Sequence, residues 1–301
     1  MTRWQANGLI LFVALIWGTT FVVQQTSMES IGPFYFTGIR FLLGTVVVLP
    51  FALREVVRLH AGGYRFARRD KIGLAVTGLS MFLASILQQI GIMDTTVTNA
   101  AFFTAFYVPL VPILALVVFR IVPHWAVWPG GVMCVVGTYL LSGGNLGALR
   151  EGDFWVIGCA FFWACQVVLV GIMAKRTRAP LTVAVVQFFI TGILGTAMGI
   201  GFEEVSFAAV FGAGFEILYA GIMSAGLAFT LQCVAQNHTE AADAAIIMSA
   251  EAVFAAMAGA LFLGERLALI EYAGCGLILL AIVAVQFMPL LRWRRAHVLR
   301  P

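Results

Sequence analysis

The groups in this chain of 301 residues best placed for chemistry are polar or aromatic side chains set inside long apolar runs. Trp17 and Trp163 lie mid-run, and a buried indole needs a partner for its N–H. They could pack between helices, or they could form two walls for an apolar or aromatic solute. Thr20 sits close to one turn beyond Trp17, on roughly the same helix face. Ser85 and Gln88 share a face, as do Asn99 and Phe102, while Ser224, Met248 and Ser249 could complete an amphipathic lining. Singly, each reads as an interhelical contact. As a set they describe a cavity suited to a neutral zwitterion such as an amino acid. A phosphate fits less well, since no Lys/Arg pair falls at mid-run.

Ionisable groups inside the runs are few, and such groups normally face a protein interior or a wet cavity. Arg40 lies about 10 Å from the nearer end of its run by helix rise, where it pairs with a carboxylate or snorkels. Asp243 opens a run and reads as a helix cap. Glu251 lies roughly 12 Å further along. It is the best single candidate for proton coupling or for meeting a substrate ammonium group, with a buried structural partner as the alternative. Pro109 and Pro112 each remove a helix hydrogen bond, so a kink is expected there, as a hinge or as a static bend.

Other chemistries lack their parts. The five cysteines all fall in apolar runs without a C-x-x-C pair, which indicates neither a disulfide framework nor a zinc site. The four histidines are scattered in connectors and the tail, so no metal and no cofactor is expected. A Walker A pattern is absent. An intramembrane enzyme would need clustered acids or a Ser/His pair, and the acidic residues in the runs are solitary. An enzyme is therefore not expected; a channel or assembly subunit remains a further alternative.

These residues must be positioned by helices in a bilayer. The chain is 61% hydrophobic and 11% charged, against about 45–50% and about 25% in soluble domains. Apolar segments fall near 8–25, 33–53, 72–93, 97–119, 125–142, 154–173, 181–201, 212–235, 242–263 and 268–289. Each is near the roughly 20 residues a spanning helix needs. The runs are continuous rather than alternating, which predicts helices and not barrel strands. The first span reads as retained, not as a removed signal peptide. With both termini on one side, that side receives 15 of the 18 basic residues, which places the termini in the cytoplasm. The net charge of +4 is then a topological bias, not a nucleic-acid footprint.

The chain also repeats. Ala14-Leu15-Ile16-Trp17-Gly18 corresponds to Ala160-Phe161-Phe162-Trp163-Ala164 at a shift of 146. Pro33 with Arg40-Phe41 matches Pro180 with Gln187-Phe188 at 147. Leu87-Gln88 and Gly130-Gly131 match Leu231-Gln232 and Gly274-Cys275 at 144. Halves of five spans each would insert upside down relative to one another, the symmetry that many secondary transporters use for alternating access. The expected architecture is an all-α integral membrane protein. It has ten transmembrane helices, as two inverted five-helix repeats around a central cavity, over residues 1–147 and 148–301. Gly195-Thr196-Ala197-Met198-Gly199 is a G-x-x-x-G inside a span, and intramolecular packing and dimerisation explain it equally. Monomer and homodimer therefore both stay open.

On these residues the sequence resembles the ten-helix EamA-type exporters of the drug/metabolite transporter superfamily. The resemblance is carried by Ile16-Trp17-Gly18-Thr19-Thr20-Phe21, Pro33 with Arg40-Phe41, Glu251 with Val253-Phe254-Ala255, and Leu263-Gly264-Glu265-Arg266-Leu267. Two departures stand out: Ala252 where the family often has proline, and Phe119-Arg120-Ile121 where a second Gly-Glu is expected. Within the superfamily the chain looks most like bacterial aromatic amino acid exporters. The resemblance implies a bacterial inner-membrane protein with a cavity lined by spans 1, 3, 4, 6, 8 and 9, exporting small metabolites such as amino acids.

Overall fold

The computed structural model describes residues 1–144, 149–204, 206–262 and 266–298, without the side chains at 97, 98, 262 and 289–298. Leu263-Gly264-Glu265, the 147/148 junction and the side chains of Trp293 and of the basic tail therefore lie outside the described residues. What is described is helical, with no strand among the described residues. Among the described residues, nine helical segments are long and apolar enough to cross a membrane. A tenth apolar helix, Val127–Leu141, has 15 residues. At 1.5 Å per residue it rises about 22 Å, short of a bilayer core of about 30 Å.

The first three spans are unbroken: α1 (Arg3–Ser27), α2 (Pro33–Ala61) and α3 (Arg68–Ile92). The fourth is split into α4 (Val97–Thr104) and α5 (Tyr107–Val117), and α6 (Val127–Leu141) follows. Then come α7 (Glu151–Thr177) and α8 (Pro180–Phe202). A short connecting helix α9 (Phe207–Gly212) leads to α10 (Gly214–Leu218), a π-helical stretch (Tyr219–Phe229) and α11 (Thr230–Gln236), which run on as one span. The ninth is again split, into α12 (Ala241–Met248) and α13 (Ala250–Phe262), before α14 (Leu269–Val298).

Local sequence explains the starts and the breaks. Pro33 and Pro180 open α2 and α8, where a missing N–H costs nothing. The Thr2 hydroxyl accepts the Gln5 N–H, and the Gln5 side chain returns a bond to Thr2. In the fourth span the helix breaks at Ala105–Phe106, four residues before Pro109. Proline has no N–H for the carbonyl four back and its ring crowds that carbonyl, so the break falls where Pro109 dictates. Pro112 lies inside α5 without ending it. The ninth span breaks 144 positions later, at Ser249, without a proline. There the Ser249 hydroxyl donates to Ile246 O at 2.6 Å, a side chain competing with the helix ladder.

The spans interlock at small residues. The most extensive pairings are α2 with α8, α3 with α7, α6 with α14, and α1 with α13. A Cβ on Gly195 would lie 2.8 Å from Gly38 N, so α2 and α8 touch backbone to backbone only because both positions are glycine. Gly199 rests against the Tyr35 ring. The G-x-x-x-G is therefore used within the chain. Trp4, Trp125, Trp128 and Trp155 are exposed near span ends, as interfacial anchors are. Phe207 and Phe211 on α9 are 87% and 82% exposed, a connector the sequence reading left without structure.

Candidate functional site

A narrow cavity of about 40 Å³ lies between the two broken spans, the π-helical span and the unbroken helices α1, α2, α3 and α7. Among the described side chains, helices α6, α8 and α14 contribute none to it. Compared with the lining implied by the family resemblance, α2 is an addition, and it enters through one residue, Arg40.

The aromatic part is built around Phe229. Trp17 meets its ring at 4.5 Å between centroids, tilted 49°. Trp163 stacks on it at 5.7 Å with only 14° between planes. Both indole N–H groups are buried without a hydrogen-bond partner. Two unsatisfied donors in one cavity are costly unless something else binds there. The two tryptophans thus share one wall, with Phe229 as the piece that joins them.

Polar groups make the opposite character. Gln88 donates to Thr104 at 3.0 Å. Gln166 donates to Gln187 at 3.0 Å and exchanges 3.3 Å bonds with Gln232. Gln24 donates to Gln89 at 3.0 Å, and Gln89 donates back to Gln24 O. These amides tie α1 to α3, α3 to α4, and α7 to α8 and α11. They fix the lining while leaving neutral polar surface on it.

Two charged side chains face the cavity. Glu251 opens α13 and is 5% exposed; Tyr107 opens α5 and is 4% exposed. They stand 144 positions apart in sequence and opposite one another in the lining. Neither Tyr107 Oη nor Glu251 Oε1 has a well-formed hydrogen bond. Arg40 is 3% exposed. Among the described residues it forms no ion pair, and its Nε has no partner. The guanidinium lies 5.2 Å from the Phe36 ring centroid and 4.9 Å from that of Phe41. It neither pairs with a carboxylate nor snorkels, contrary to the sequence expectation, because α2 is enclosed by α8 and the π-helical stretch at this depth. A charge at the bilayer centre costs about 2.5–3.5 kcal/mol, so an unpaired arginine buried inside a span is costly to hold.

Of the residues singled out from sequence, Trp17, Arg40, Gln88, Trp163, Ser224, Met248 and Glu251 line the cavity. The others have separate reasons for lying outside it. Thr20 donates to its own helix at Ile16 O, 2.7 Å. Ser85 is buried with an unpartnered hydroxyl. Asn99 sits in the first turn of α4, its N–H donating to the Thr96 cap. Phe102 packs against Phe103, Phe106 and Tyr139. Ser249 is enclosed at the α12–α13 break against Cys134 Sγ at 3.2 Å. Pro109 follows the break by four residues and Pro112 lies inside α5, both outside the lining. Sequence reading missed Phe21, Gln24, Thr104, Tyr107, Gln166 and Phe229, all of which line the cavity. The signal for the α1 pair was available: Trp17, Phe21 and Gln24 follow i, i+4, i+7, one helix face.

At the end of the bundle that carries the N-terminus, two ion pairs hold the start of α12. Arg3 meets Asp243 at 2.7 Å, and Lys175 meets Glu240 at 2.8 Å. A cleft of about 330 Å³ opens beside them, reaching His124 and Pro123.

Comparison with known proteins gives a consistent frame. The EamA-like transporter family matches residues 4–143 and again residues 150–287. An uncharacterised transporter of Archaeoglobus fulgidus is 33% identical over 279 residues, 93% of this chain and 84% of that protein. The inner membrane transporter YedA of Escherichia coli is 25% identical over 291 residues, covering 92% and 89%. An S-adenosylmethionine/S-adenosylhomocysteine transporter of Chlamydia trachomatis is 30% identical over 154 residues, covering 50% and 45%. One protein crystal structure superposes with a TM-score of 0.75 at 18% identity, covering 94% of this chain and 97% of that one.

Proposed function

The chain belongs to the EamA-like transporter family, and on that premise we propose that it is a secondary exporter of small metabolites working by alternating access. Amino acids, aromatic and neutral ones included, are the substrates the lining suits best. The observation that carries this is the shared wall of Trp17, Phe229 and Trp163 in a cavity that Gln88, Ser224 and Gln232 also line: an apolar planar surface with neutral polar groups in the same lining.

Two inverted five-helix repeats are the frame. The reading is supported by the family matching each half in turn. It is supported too by the breaks at Ala105 and Ser249, 144 positions apart. Pairings recur under the exchange of halves, with α1 on α13 answered by α7 on α4 and α5. An odd number of spans per half makes the copies antiparallel, so each conformation open to one side has a counterpart open to the other. The narrow cavity fits a state closed to both. The positive-inside bias supports termini in the cytoplasm, and the likeness to the inner membrane transporter YedA supports a bacterial inner membrane. Release of the Arg3–Asp243 and Lys175–Glu240 pairs would then open the cytoplasmic side.

The test is counterflow in proteoliposomes with labelled amino acids, nucleosides and sugars. S-Adenosylmethionine belongs in the panel because of the Chlamydia relative. Saturable exchange of aromatic amino acids is expected. Exchange confined to sugars or nucleosides would replace the substrate class, and an ionic conductance without exchange would replace the mechanism.

A further inference from the structure

We propose that Arg40 is the anchor for a carboxylate on the transported molecule, which restricts the cavity to monoanionic heads carried on a planar apolar body. This deepens the transport reading and rests on it. Arg40 lines the cavity, is 97% buried by area, and meets no carboxylate among the described residues. Glu251 shares the cavity without reaching it. An unpaired buried guanidinium has unused donors in a fork that matches a carboxylate with two parallel bonds.

The fold itself does not require a cation at this depth. The matching position of the second half, 147 residues on, holds Gln187. Gln187 is fully buried and satisfied, accepting from Gln166 at 3.0 Å and contacting Cys233 Sγ at 3.2 Å. Charge therefore appears in one half only, on the side chain that reaches the cavity.

Position sets the rest of the ligand. Arg40 lies over the Phe41 ring, Phe41 meets Phe229 at 5.9 Å, and Phe229 carries Trp17 and Trp163. A chain of ring contacts thus links the guanidinium to that aromatic wall, through a Phe41 ring that is itself buried behind the lining. A carboxylate on Arg40 would lay an attached ring along Phe229. One guanidinium balances a single negative charge, so a dianionic phosphate would keep one charge uncompensated in the membrane interior.

The experiment uses the full-length protein with three probes: phenylalanine, phenylpropionate (no ammonium) and phenethylamine (no carboxylate). Binding is read by tryptophan fluorescence quenching and movement by counterflow. Wild-type protein should bind both carboxylates roughly ten- to a hundredfold more tightly than phenethylamine. Arg40→Gln, which installs the residue found at the matching position, should erase that preference, and Arg40→Lys should keep part of it. Equal binding of phenethylamine and phenylpropionate by the wild type would overturn the assignment without any variant. An unchanged preference in Arg40→Gln would do the same. Carboxylate-selective quenching without movement of any probe would leave the Arg40 assignment standing and sink the transport reading instead.

Discussion

Glu55 and Glu203 close each other's helices: each carboxylate caps the N-terminus of the helix that the other one ends. Glu203, just past α8, accepts the N–H groups of Phe34 and Tyr35 at 2.8 and 2.9 Å. Glu55, late in α2, accepts those of Leu181 and Thr182 at 3.3 and 2.8 Å, with the Thr182 hydroxyl at 2.8 Å. Both ends of the α2–α8 pair are thus held by a carboxylate on exposed amide dipoles. Glu55→Gln and Glu203→Gln should each lower stability by about 0.5–2 kcal/mol. The two sites lie about 30 Å apart along α2, so the losses should add. Thermal unfolding in detergent reads this directly; a double variant no worse than either single one would mean the caps act as one unit.

The backbone contact between α2 and α8 makes a sharper prediction. Gly195→Leu forces a side chain against Gly38 N and should cost at least about 1–3 kcal/mol, enough to deplete folded protein. Gly201→Leu, on the same helix with nothing within 4 Å of its would-be Cβ, should behave as wild type. Yield and monodispersity after extraction separate the two. Equal behaviour would place the close approach elsewhere.

Much of this frame was legible in sequence, and the exceptions have physical causes. Continuous apolar runs gave the spans, and Pro109 located the break in the fourth. Its counterpart at Ser249 was not visible, because a serine hydroxyl bonding its own helix leaves no mark as strong as proline. Trp17 and Trp163 stood out by lying mid-run at matching positions of the two repeats. Phe229 did not, being one of 25 phenylalanines. The π-helical stretch hid it further. Ser224 and Phe229 are five residues apart, on different faces of an α-helix, yet both line the cavity. An i→i+5 hydrogen-bond pattern brings them there. Arg40 was misjudged because an internal arginine normally has a partner, and sequence cannot show that none is in reach.

Phe229→Leu should separate aromatic from small substrates. It removes the ring that joins Trp17 to Trp163 but keeps an apolar side chain in place. Exchange of aromatic amino acids should fall about two- to tenfold, in line with the roughly 0.5–1.5 kcal/mol an aromatic pair contributes beyond area. Exchange of small neutral amino acids should change far less. Trp17→Ala and Trp163→Ala should follow the same order. Equal losses for both substrate classes would argue that the cluster only holds the helices.

Glu251 faces Tyr107 within the cavity, each without a well-formed hydrogen bond. If proton exchange drives export, Glu251→Gln should flatten the dependence of counterflow on pH while leaving aromatic binding measurable. Tyr107→Phe should keep the carboxyl group and shift the profile without flattening it. A Glu251→Gln profile that follows the wild type would remove this residue from coupling and leave it a substrate contact or a buried structural acid.

The most direct measurement concerns access to the cavity from the two faces of the membrane. Ser224 lines it and is 3% exposed. Ser224→Cys, in a chain with Cys134, Cys159, Cys165, Cys233 and Cys275 replaced, can be challenged with a membrane-impermeant thiol reagent in right-side-out and inside-out vesicles. Labelling from both faces, slowed from both by phenylalanine, is expected of a passage that opens alternately. Labelling from one face only, or from neither, in protein that still folds would contradict alternating access through this cavity.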